Sequence, residues 1–262
     1  MKIALIGRGR VATHLLKALQ LAGHEVVSVN SRTLEELPMA ADIYILSVKD
    51  SALQDVIKQL VNQLHIDTPS LWRGKGEALF LHTAGSMPLD LFKGCCTRYG
   101  VLYPMQTFSL DREVDFHEIP LFIEASDAAS LQQIRALADS VSQHVYELST
   151  ADRRYLHLAA VFACNFANHC YTLAADVLAQ KGLPFDVMLP LIDETARKVH
   201  ELHPVDAQTG PAVRGDQNVM DAQKALLDDR LATIYMLMSE SIQDEKKRYD
   251  QLRLTENTSH RV

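Results

Sequence analysis

Two glycines near the start of the chain have the spacing of a phosphate-binding turn. The apolar run Ile3 to Ile6 leads into Gly7-Arg-Gly-Arg-Val-Ala12, and a segment with helical apolar periodicity follows. In such a turn the first glycine permits the bend and the second lets the backbone approach a phosphate. We therefore predict that a dinucleotide pyrophosphate is bound by Gly7, Arg8, Gly9, Arg10, Val11 and Ala12. The alternative is an ordinary strand-to-helix turn that uses glycine.

The residues that follow the second predicted strand favour NADP over NAD. An acidic side chain about 20 residues past the glycines selects NAD by accepting a hydrogen bond from the ribose. Here Ser31 and Arg32 stand at that point, and the first acid is Glu35. The Arg32 guanidinium and the Ser31 hydroxyl suit a phosphate. The alternative is that the arginines of this region are solvated surface charges.

Two further strand ends should face the same ligand, because ligands of open α/β sheets bind at the carboxyl ends of the strands. We expect these segments to flank the ribose and the nicotinamide; their residues are Ser47, Val48, His82, Thr83, Ala84 and Gly85. His82 is either a proton-transfer group or a structural histidine that caps its strand.

The second half of the chain carries polar residues on otherwise apolar segments. His157, Asn165 and His169 are spaced to lie near one helix face. A buried amide without a partner costs about 1–3 kcal/mol, so these groups belong either to an inter-helix network or to a ligand site. As candidate catalytic or substrate-binding residues we take His157, Asn165, His169, Lys198, Thr209 and Arg214. Asp216, close to Arg214, is also a simple N-cap candidate.

The elements that must position these residues change character near residue 149. Before it, apolar strands alternate with amphipathic helices, which predicts a Rossmann-like, doubly wound and mostly parallel sheet. After it we expect an all-helical domain, so the domains are 1–149 and 150–262. The predicted strands are 2–6, 25–30, 43–48, 78–82, 100–103, 121–124 and 144–147. The predicted helices include 50–64, 128–143, 149–180, 190–202, 217–227 and 229–252, with loops at 65–77 and 203–215 and a frayed tail at 255–262.

Composition and charge exclude several classes of function. A net charge of −7 argues against a nucleic-acid or anionic-membrane partner. No apolar run approaches the roughly 20 residues of a membrane helix, and a first strand at residue 2 leaves no room for a signal peptide. The four cysteines form no C-x-x-C pair. We expect a cytoplasmic protein with a small-molecule substrate and no metal. Apolar helix faces, including Ile234, Leu237 and Met238, predict a homodimer.

Several runs of the chain resemble a bacterial family with a Rossmann-like first domain and an uncharacterised helical second domain. The matching runs are His82-Thr-Ala-Gly-Ser86, Tyr103-Pro-Met-Gln-Thr-Phe108, His157-Leu-Ala-Ala-Val161 with Asn165-Phe166, Pro190-Leu-Ile with Glu194-Thr195, and Gln208 to Asp216. The first domain also looks like that of pyrroline-5-carboxylate reductase, ketopantoate reductase and β-hydroxyacid dehydrogenases. The resemblance implies an NADP-dependent oxidoreductase and leaves its substrate open.

The chain departs from that superfamily at one functional position. β-Hydroxyacid dehydrogenases and ketopantoate reductases carry a lysine on the long helix, four residues before an asparagine. Here Val161 precedes Asn165 and Cys164 precedes Asn168 at that distance. We expect reduction of a small carbonyl or imine in the interdomain cleft, with a proton from His157, His169, Lys198 or His82. The alternative is an NADP-binding regulatory or scaffold protein without turnover.

Overall fold

A seven-stranded sheet lies at the centre of the N-terminal half, as the apolar runs predict. The computed structural model describes residues 1–64 and 78–259. The strand order is β2-β1-β3-β4-β5-β6-β7, and neighbours are parallel except β5 and β6. The bounds are β1 Lys2–Ile6, β2 Glu25–Val29, β3 Ile43–Leu46, β4 Leu79–His82, β5 Tyr99–Pro104, β6 Leu121–Ala125 and β7 Val145–Glu147. The predicted fold class is confirmed.

Helices cover both faces of the sheet, which explains why β1, β3 and β4 are apolar along almost their whole length. On one face the sheet packs against α1 (Arg10–Leu21) and α3 (Ala128–Asp139), whose buried side chains include Leu15 and Ile134. On the other face it packs against α2 (Asp50–Leu64), through side chains such as Leu53 and Ile57. The predicted loop at 65–77, which contains Trp72, lies outside the described residues.

A long helical segment follows the sheet and contains a turn that the sequence analysis missed. It consists of α4 (Thr150–Ala160), a π-helical segment (Val161–Phe166) and α5 (Ala167–Ala179). The Ser149 side chain accepts a hydrogen bond from the Asp152 N–H, as expected of a capping box. Apolar periodicity predicts the helix but does not distinguish one wider turn from its α-helical neighbours, so the π segment went unpredicted.

The chain divides into two compact units, Met1–Tyr171 and Thr172–Val262. The second unit contains α6 (Leu189–Glu201), α7 (Pro204–Ala207), α8 (Pro211–Arg214), α9 (Gln217–Lys224) and α10 (Asp229–Ser259). The prediction of a loop at 203–215 was wrong in part, because Pro204 and Pro211 each begin a short helix. The prediction of a frayed tail at 255–262 was wrong for residues 255–259, and residues 260–262 lie outside the described part of the chain. Helix α10 reaches Ser259, supported by i,i+3 and i,i+4 ion pairs such as Lys246–Asp250.

Candidate active site

The glycine turn after β1 has the conformation that its sequence predicts. Gly7 has φ +127°, and its N–H donates to the Val29 carbonyl at 2.9 Å. A Cβ at Gly7 would lie 2.1 Å from the Ser47 carbonyl oxygen, so only glycine fits beside the end of β3. Gly9 is the N-cap of α1, and the space where its Cβ would be is open. The two glycines thus differ: Gly7 is required by the fold, and Gly9 leaves room for a ligand.

The first turn of α1 completes an anion-binding arrangement. Arg8 and Arg10 are exposed, Val11 is half-buried, and Ala12 is 2% exposed and packs into the core. The N–H groups of a helix's first turn have no partner within the helix and carry the positive end of its dipole. The open side of Gly9, these N–H groups and the two cationic side chains fit a pyrophosphate.

The segment after β2 turns sharply and places no acid at the strand end. The Asn30 side chain accepts from the Arg32 backbone N–H at 3.0 Å, and Leu34 has φ +50°. Ser31 is half-buried, and the Arg32 side chain is exposed. Glu35 is exposed and comes only after this bend. The guanidinium of Arg32 is therefore the charged group nearest along the chain to the end of β2.

The ends of β1, β3 and β4 are joined by hydrogen bonds. The Ser47 N–H donates to the Ile6 carbonyl at 2.8 Å, and the Thr83 N–H donates to the Leu46 carbonyl at 3.2 Å. The Thr83 hydroxyl donates to the Ser47 hydroxyl at 3.2 Å. Val48, the next residue, is half-buried. These bonds give the sheet edge a set of aligned strand ends next to the glycine turn.

His82, at the end of β4, is built into the interior. Its side chain is fully buried, with Nδ1 accepting from the Ala84 N–H at 3.2 Å and Nε2 lying 3.3 Å from the Pro88 carbonyl. Burial, followed by the positive charge of Arg153, lowers the pKa of His82 to about 4. A neutral imidazole between these two backbone groups favours the structural alternative over proton transfer.

A buried arginine holds the loop that follows β4. Arg153, in the first turns of α4, has no exposed surface. Its Nη1 donates to the carbonyl oxygens of Ala84 and Gly85 at 3.0 Å each and to that of Met87 at 2.7 Å. Three backbone carbonyls on one guanidinium nitrogen set the path of residues 84–87, which include Ala84 and Gly85 of the segment predicted to flank the nicotinamide.

The charge of Arg153 is balanced from the other side. Its Nη2 donates to Glu124 Oε2 at 2.9 Å and to the Thr150 hydroxyl at 3.0 Å. Glu124 also accepts from the Thr150 N–H at 2.8 Å, and the Thr150 hydroxyl accepts from the Leu89 N–H at 3.0 Å. A buried charge is tolerated when it is paired and hydrogen-bonded in this way. Arg153 Nε is buried without a partner among the described residues.

One helical turn after Arg153, His157 contacts the same loop. Its Nδ1 lies 3.0 Å from the Tyr103 hydroxyl, and the two rings meet edge to face. A Cβ at Gly85 would lie 2.6 Å from this Nδ1 and 2.8 Å from the Tyr103 ring. Gly85 therefore permits the histidine and the tyrosine to meet on its backbone.

The π segment carries Asn165 and changes its alignment with His157. A π turn holds more residues than the 3.6 of an α turn. The eight-residue step from His157 to Asn165 is therefore closer to two complete turns than it would be in an α-helix. The two residues are therefore nearer to one face than in a regular α-helix. Asn165 and His169 are exposed, and His157 is half-buried. π segments inside helices often occur at functional sites.

The remaining predicted site residues lie in the second unit. Lys198 is half-buried in α6, and Thr209 is exposed ahead of α8. The Arg214 guanidinium, largely exposed at the end of α8, lies 3.5 Å from the Asp216 carboxylate. Asp216 occupies the N-cap position of α9 without a side-chain hydrogen bond to that helix.

Sequence reasoning missed two residues that the fold brings to this site. Tyr103 lies in one of the runs that carry the family resemblance, but nothing in its sequence context marks it as a partner of His157. For Arg153 the sequence predicts only a charged residue of an amphipathic helix. No group of three or more His, Cys, Asp or Glu placed to hold a metal ion occurs within residues 1–64 and 78–259. In the same residues no helix is long and apolar enough to cross a membrane.

Comparisons with known proteins show which family the chain belongs to. The family "NADP oxidoreductase coenzyme F420-dependent" matches residues 2–59, and a "domain of unknown function" (DUF2520) matches residues 119–242. A Bacteroides fragilis protein described as a "putative NADP oxidoreductase" is 45% identical, with a TM-score of 0.82, over 93% of this chain and 98% of that one. The chain belongs to the family of this Bacteroides protein. Its predicted resemblance to NADP oxidoreductases is thereby confirmed.

More distant members of the same fold agree in shape alone. An imine reductase from Myxococcus stipitatus, solved with NADP⁺, is 16% identical with a TM-score of 0.65, covering 95% of each chain. A pyrroline-5-carboxylate reductase from Streptococcus pyogenes is 17% identical with a TM-score of 0.59, over 93% of this chain and 98% of that one. No curated protein matches the chain. These two likenesses show that the fold is shared.

Proposed function

We propose that this member of the family is an NADP(H)-dependent oxidoreductase that acts on a small carbonyl or imine compound. The observation that carries the proposal is the turn after β1. The space beside Gly7 is filled by the Ser47 backbone, whereas the space beside Gly9 is open and lies directly before the N-terminus of α1. Arg32, with no acid before Glu35, supports NADP over NAD because a guanidinium binds a phosphate and a carboxylate repels it.

The cofactor would be held along the edge formed by the strand ends. Gly7 to Ala12 would bind the pyrophosphate, Ser31 and Arg32 the ribose phosphate, and Ser47, Val48 and the residues His82 to Gly85 would flank the ribose and the nicotinamide. When bound, NADPH supplies the hydride. The protein's part is to position the substrate and to deliver a proton.

His157 is our choice of proton donor among the predicted candidates. It touches the Gly85 loop, which would flank the nicotinamide, and it is only half-buried. His82 is enclosed, with both ring nitrogens near backbone partners. Asn165, two turns further along the helix, would orient the carbonyl or imine through its amide. The other predicted candidates are His169, which is exposed, and Lys198, which lies in α6.

Two residues of the second unit would bind an acidic group of the substrate. Arg214 offers a fork of N–H donors, and its exposed partner Asp216 is weakly held at 3.5 Å, so a substrate carboxylate can compete. Thr209 offers a hydroxyl on the same segment. The interdomain location of the substrate stays a prediction from the sequence.

Two measurements test the function. Calorimetry with NADPH and NADH tests the cofactor, and absence of binding at millimolar concentration would exclude it. Loss of NADPH absorbance with a panel of aldehydes, keto acids and cyclic imines tests turnover. Tight NADPH binding without oxidation of any panel member would favour the alternative, a regulatory or scaffold protein, which the missing helix lysine also supports.

We also propose a homodimer in which apolar helix faces are covered by a second copy. Tyr155, Leu158, Phe162 and Phe166 follow one another at spacings of three or four and are at least half exposed. Leu237 and Met238 of α10 are likewise exposed. Sedimentation at micromolar concentration should give the mass of two chains; a monomer would contradict the proposal. The expected cytoplasmic location stays a prediction.

A further inference from the structure

The contact between Tyr103 and His157 involves only one of the two imidazole nitrogens, and this affects which nitrogen can deliver a proton. Tyr103 comes from the buried strand β5 and is 8% exposed, whereas His157 comes from α4 and is half-buried. The hydroxyl lies 3.0 Å from Nδ1 of the imidazole. Of the two ring nitrogens, Nδ1 is therefore occupied from the protein side. Nε2 has no hydrogen-bond partner within residues 1–64 and 78–259, so it is the nitrogen that a ligand can reach.

We propose that Tyr103 is a positioning residue, which engages Nδ1 of His157 so that the proton passes to the substrate from Nε2. This inference rests on the proposed function. A hydroxyl suits the role because it can accept from a protonated Nδ1 and donate to an unprotonated one. The histidine thus keeps one orientation through both of its protonation states.

The proposed step conserves charge and electrons. The substrate carbon accepts a hydride from NADPH, and the π electrons of the C=O or C=N bond take the Nε2 proton of the imidazolium onto oxygen or nitrogen. The substrate is reduced by two electrons and the nicotinamide is oxidised by two. His157 is left as a neutral imidazole whose Nδ1–H donates to the Tyr103 oxygen, and solvent restores the Nε2 proton.

Burial keeps the proton on the Tyr103 hydroxyl. Burial raises the pKa of its hydroxyl, the charge of Arg153 lowers it, and the carboxylate of Asp50 raises it. The charges of Arg153, Asp50 and Glu124 also act on buried His82, beside the same loop. A hydroxyl that stays protonated at neutral pH does not compete with the substrate for the proton of His157.

Contacts on both sides hold the tyrosine ring in place, so the hydroxyl can be removed without removing the packing. The ring lies 6.4 Å from that of Phe122, centre to centre, and against the backbone of Gly85. Phenylalanine at position 103 retains these contacts and loses only the hydrogen bond to His157.

Wild type is first assayed for NADPH oxidation with pyrroline, butanal and pyruvate as acceptors. Tyr103→Phe is then compared with wild type on the acceptor that wild type reduces fastest. Tyr103→Phe should lower kcat about 10- to 100-fold, which is at most the lower end of a full acid–base contribution, because the proton donor is misoriented and not removed. KM and the Kd of NADPH should change less than about 3-fold. The solvent isotope effect on kcat should rise, because the misoriented proton donor makes proton transfer slower. His157→Gln should lower kcat further.

Tyr146→Phe is the matched control, since Tyr146 is 51% exposed on β7, and it should keep the wild-type values. A Tyr103→Phe variant with unchanged kcat and isotope effect would overturn the inference. So would a change confined to KM or to NADPH affinity, which indicates a purely structural role. If wild type binds NADPH and reduces none of the three acceptors or the wider panel, the proposed function fails, and this inference fails with it.

Discussion

The loops that follow β1 and β4 are built in opposite ways, although both lie at carboxyl ends of parallel strands. The turn at Gly7 to Ala12 is formed by neighbours in the chain: a glycine at φ +127°, an open glycine and the start of α1. The loop at 84–87 is held by Arg153, whose guanidinium arrives from 66 to 69 residues away. The first loop takes its shape from local backbone conformation, and the second takes its shape from the buried side chain of Arg153, which is distant in the chain.

This difference explains what each loop can do. The first presents backbone N–H groups and needs little besides glycine, so it suits an anion that any member of the fold can bind. The second couples the sheet to α4, which carries Arg153 and His157 one turn apart, so the proposed nicotinamide loop and the proposed proton donor are positioned by one helix. A change in α4 should therefore disturb chemistry, and a change in the first turn should disturb cofactor binding.

The largest effect on stability should come from removing the charged side chain of Arg153. Arg153→Met leaves the Glu124 carboxylate without its positive partner and three backbone carbonyls without their arginine donor, and we expect a loss of about 3–5 kcal/mol in the free energy of unfolding. Urea unfolding measures it. The control is Arg135→Met, which removes the exposed pair with Glu147 and should cost less than about 1 kcal/mol. Equal losses in the two variants would remove the distinction between the loops.

Substitutions at the two glycines of the first turn should separate an effect on folding from an effect on cofactor binding. Gly7→Ala places a Cβ on the Ser47 carbonyl at an unfavourable φ and should destabilise the fold by about 3 kcal/mol. Gly9→Ala, at φ −80° with open space, should leave the thermal midpoint within a few degrees and lower NADPH affinity at least about 10-fold. Thermal unfolding and calorimetry measure both. A Gly9→Ala protein that binds NADPH normally would contradict the phosphate role.

The second loop should also make the fold sensitive to acid. The pKa of His82 is about 4 in the folded chain, below its ordinary 6.5, so the unfolded state binds more protons between these values. Stability should therefore fall as pH drops from 6.5 to 4, by about 2–3 kcal/mol from this group. Urea unfolding across that range measures the slope, and His82→Gln should flatten it. An unchanged slope in the variant would refute the assignment to His82.

The smallest effect concerns the choice of cofactor beside the first turn. Arg32→Ala should weaken NADPH binding about 10-fold and NADH binding less than about 2-fold, because only NADPH carries the ribose phosphate. Arg32→Lys should retain part of the preference. Calorimetry with both nucleotides measures the ratio, and an equal loss for the two would show that Arg32 is a solvated surface charge.

Most of the sheet was predictable, and the helical half was predictable only in outline. Every predicted strand is present within one or two residues of its bounds, because buried parallel strands are continuous apolar runs with polar breaks. The helix predicted from residue 128 also begins there, with the Asp127 side chain accepting from the Ser130 N–H. The π segment, the short helices at Pro204 and Pro211 and the contact of Tyr103 with His157 were not predicted, since each depends on packing rather than on local periodicity.

The sequence by itself determined the glycine turn, the absence of an acid before Glu35 and the alternation of strands and helices. These features follow from the conformational freedom of glycine, side-chain charge and burial on two faces, which act over a few residues. Only the tertiary structure decided that His82 is enclosed, that Arg153 holds the loop at 84–87 and that Tyr103 meets His157. Each of these joins residues far apart in the chain, and a buried charge or hydroxyl finds its partner only when the fold has closed around it.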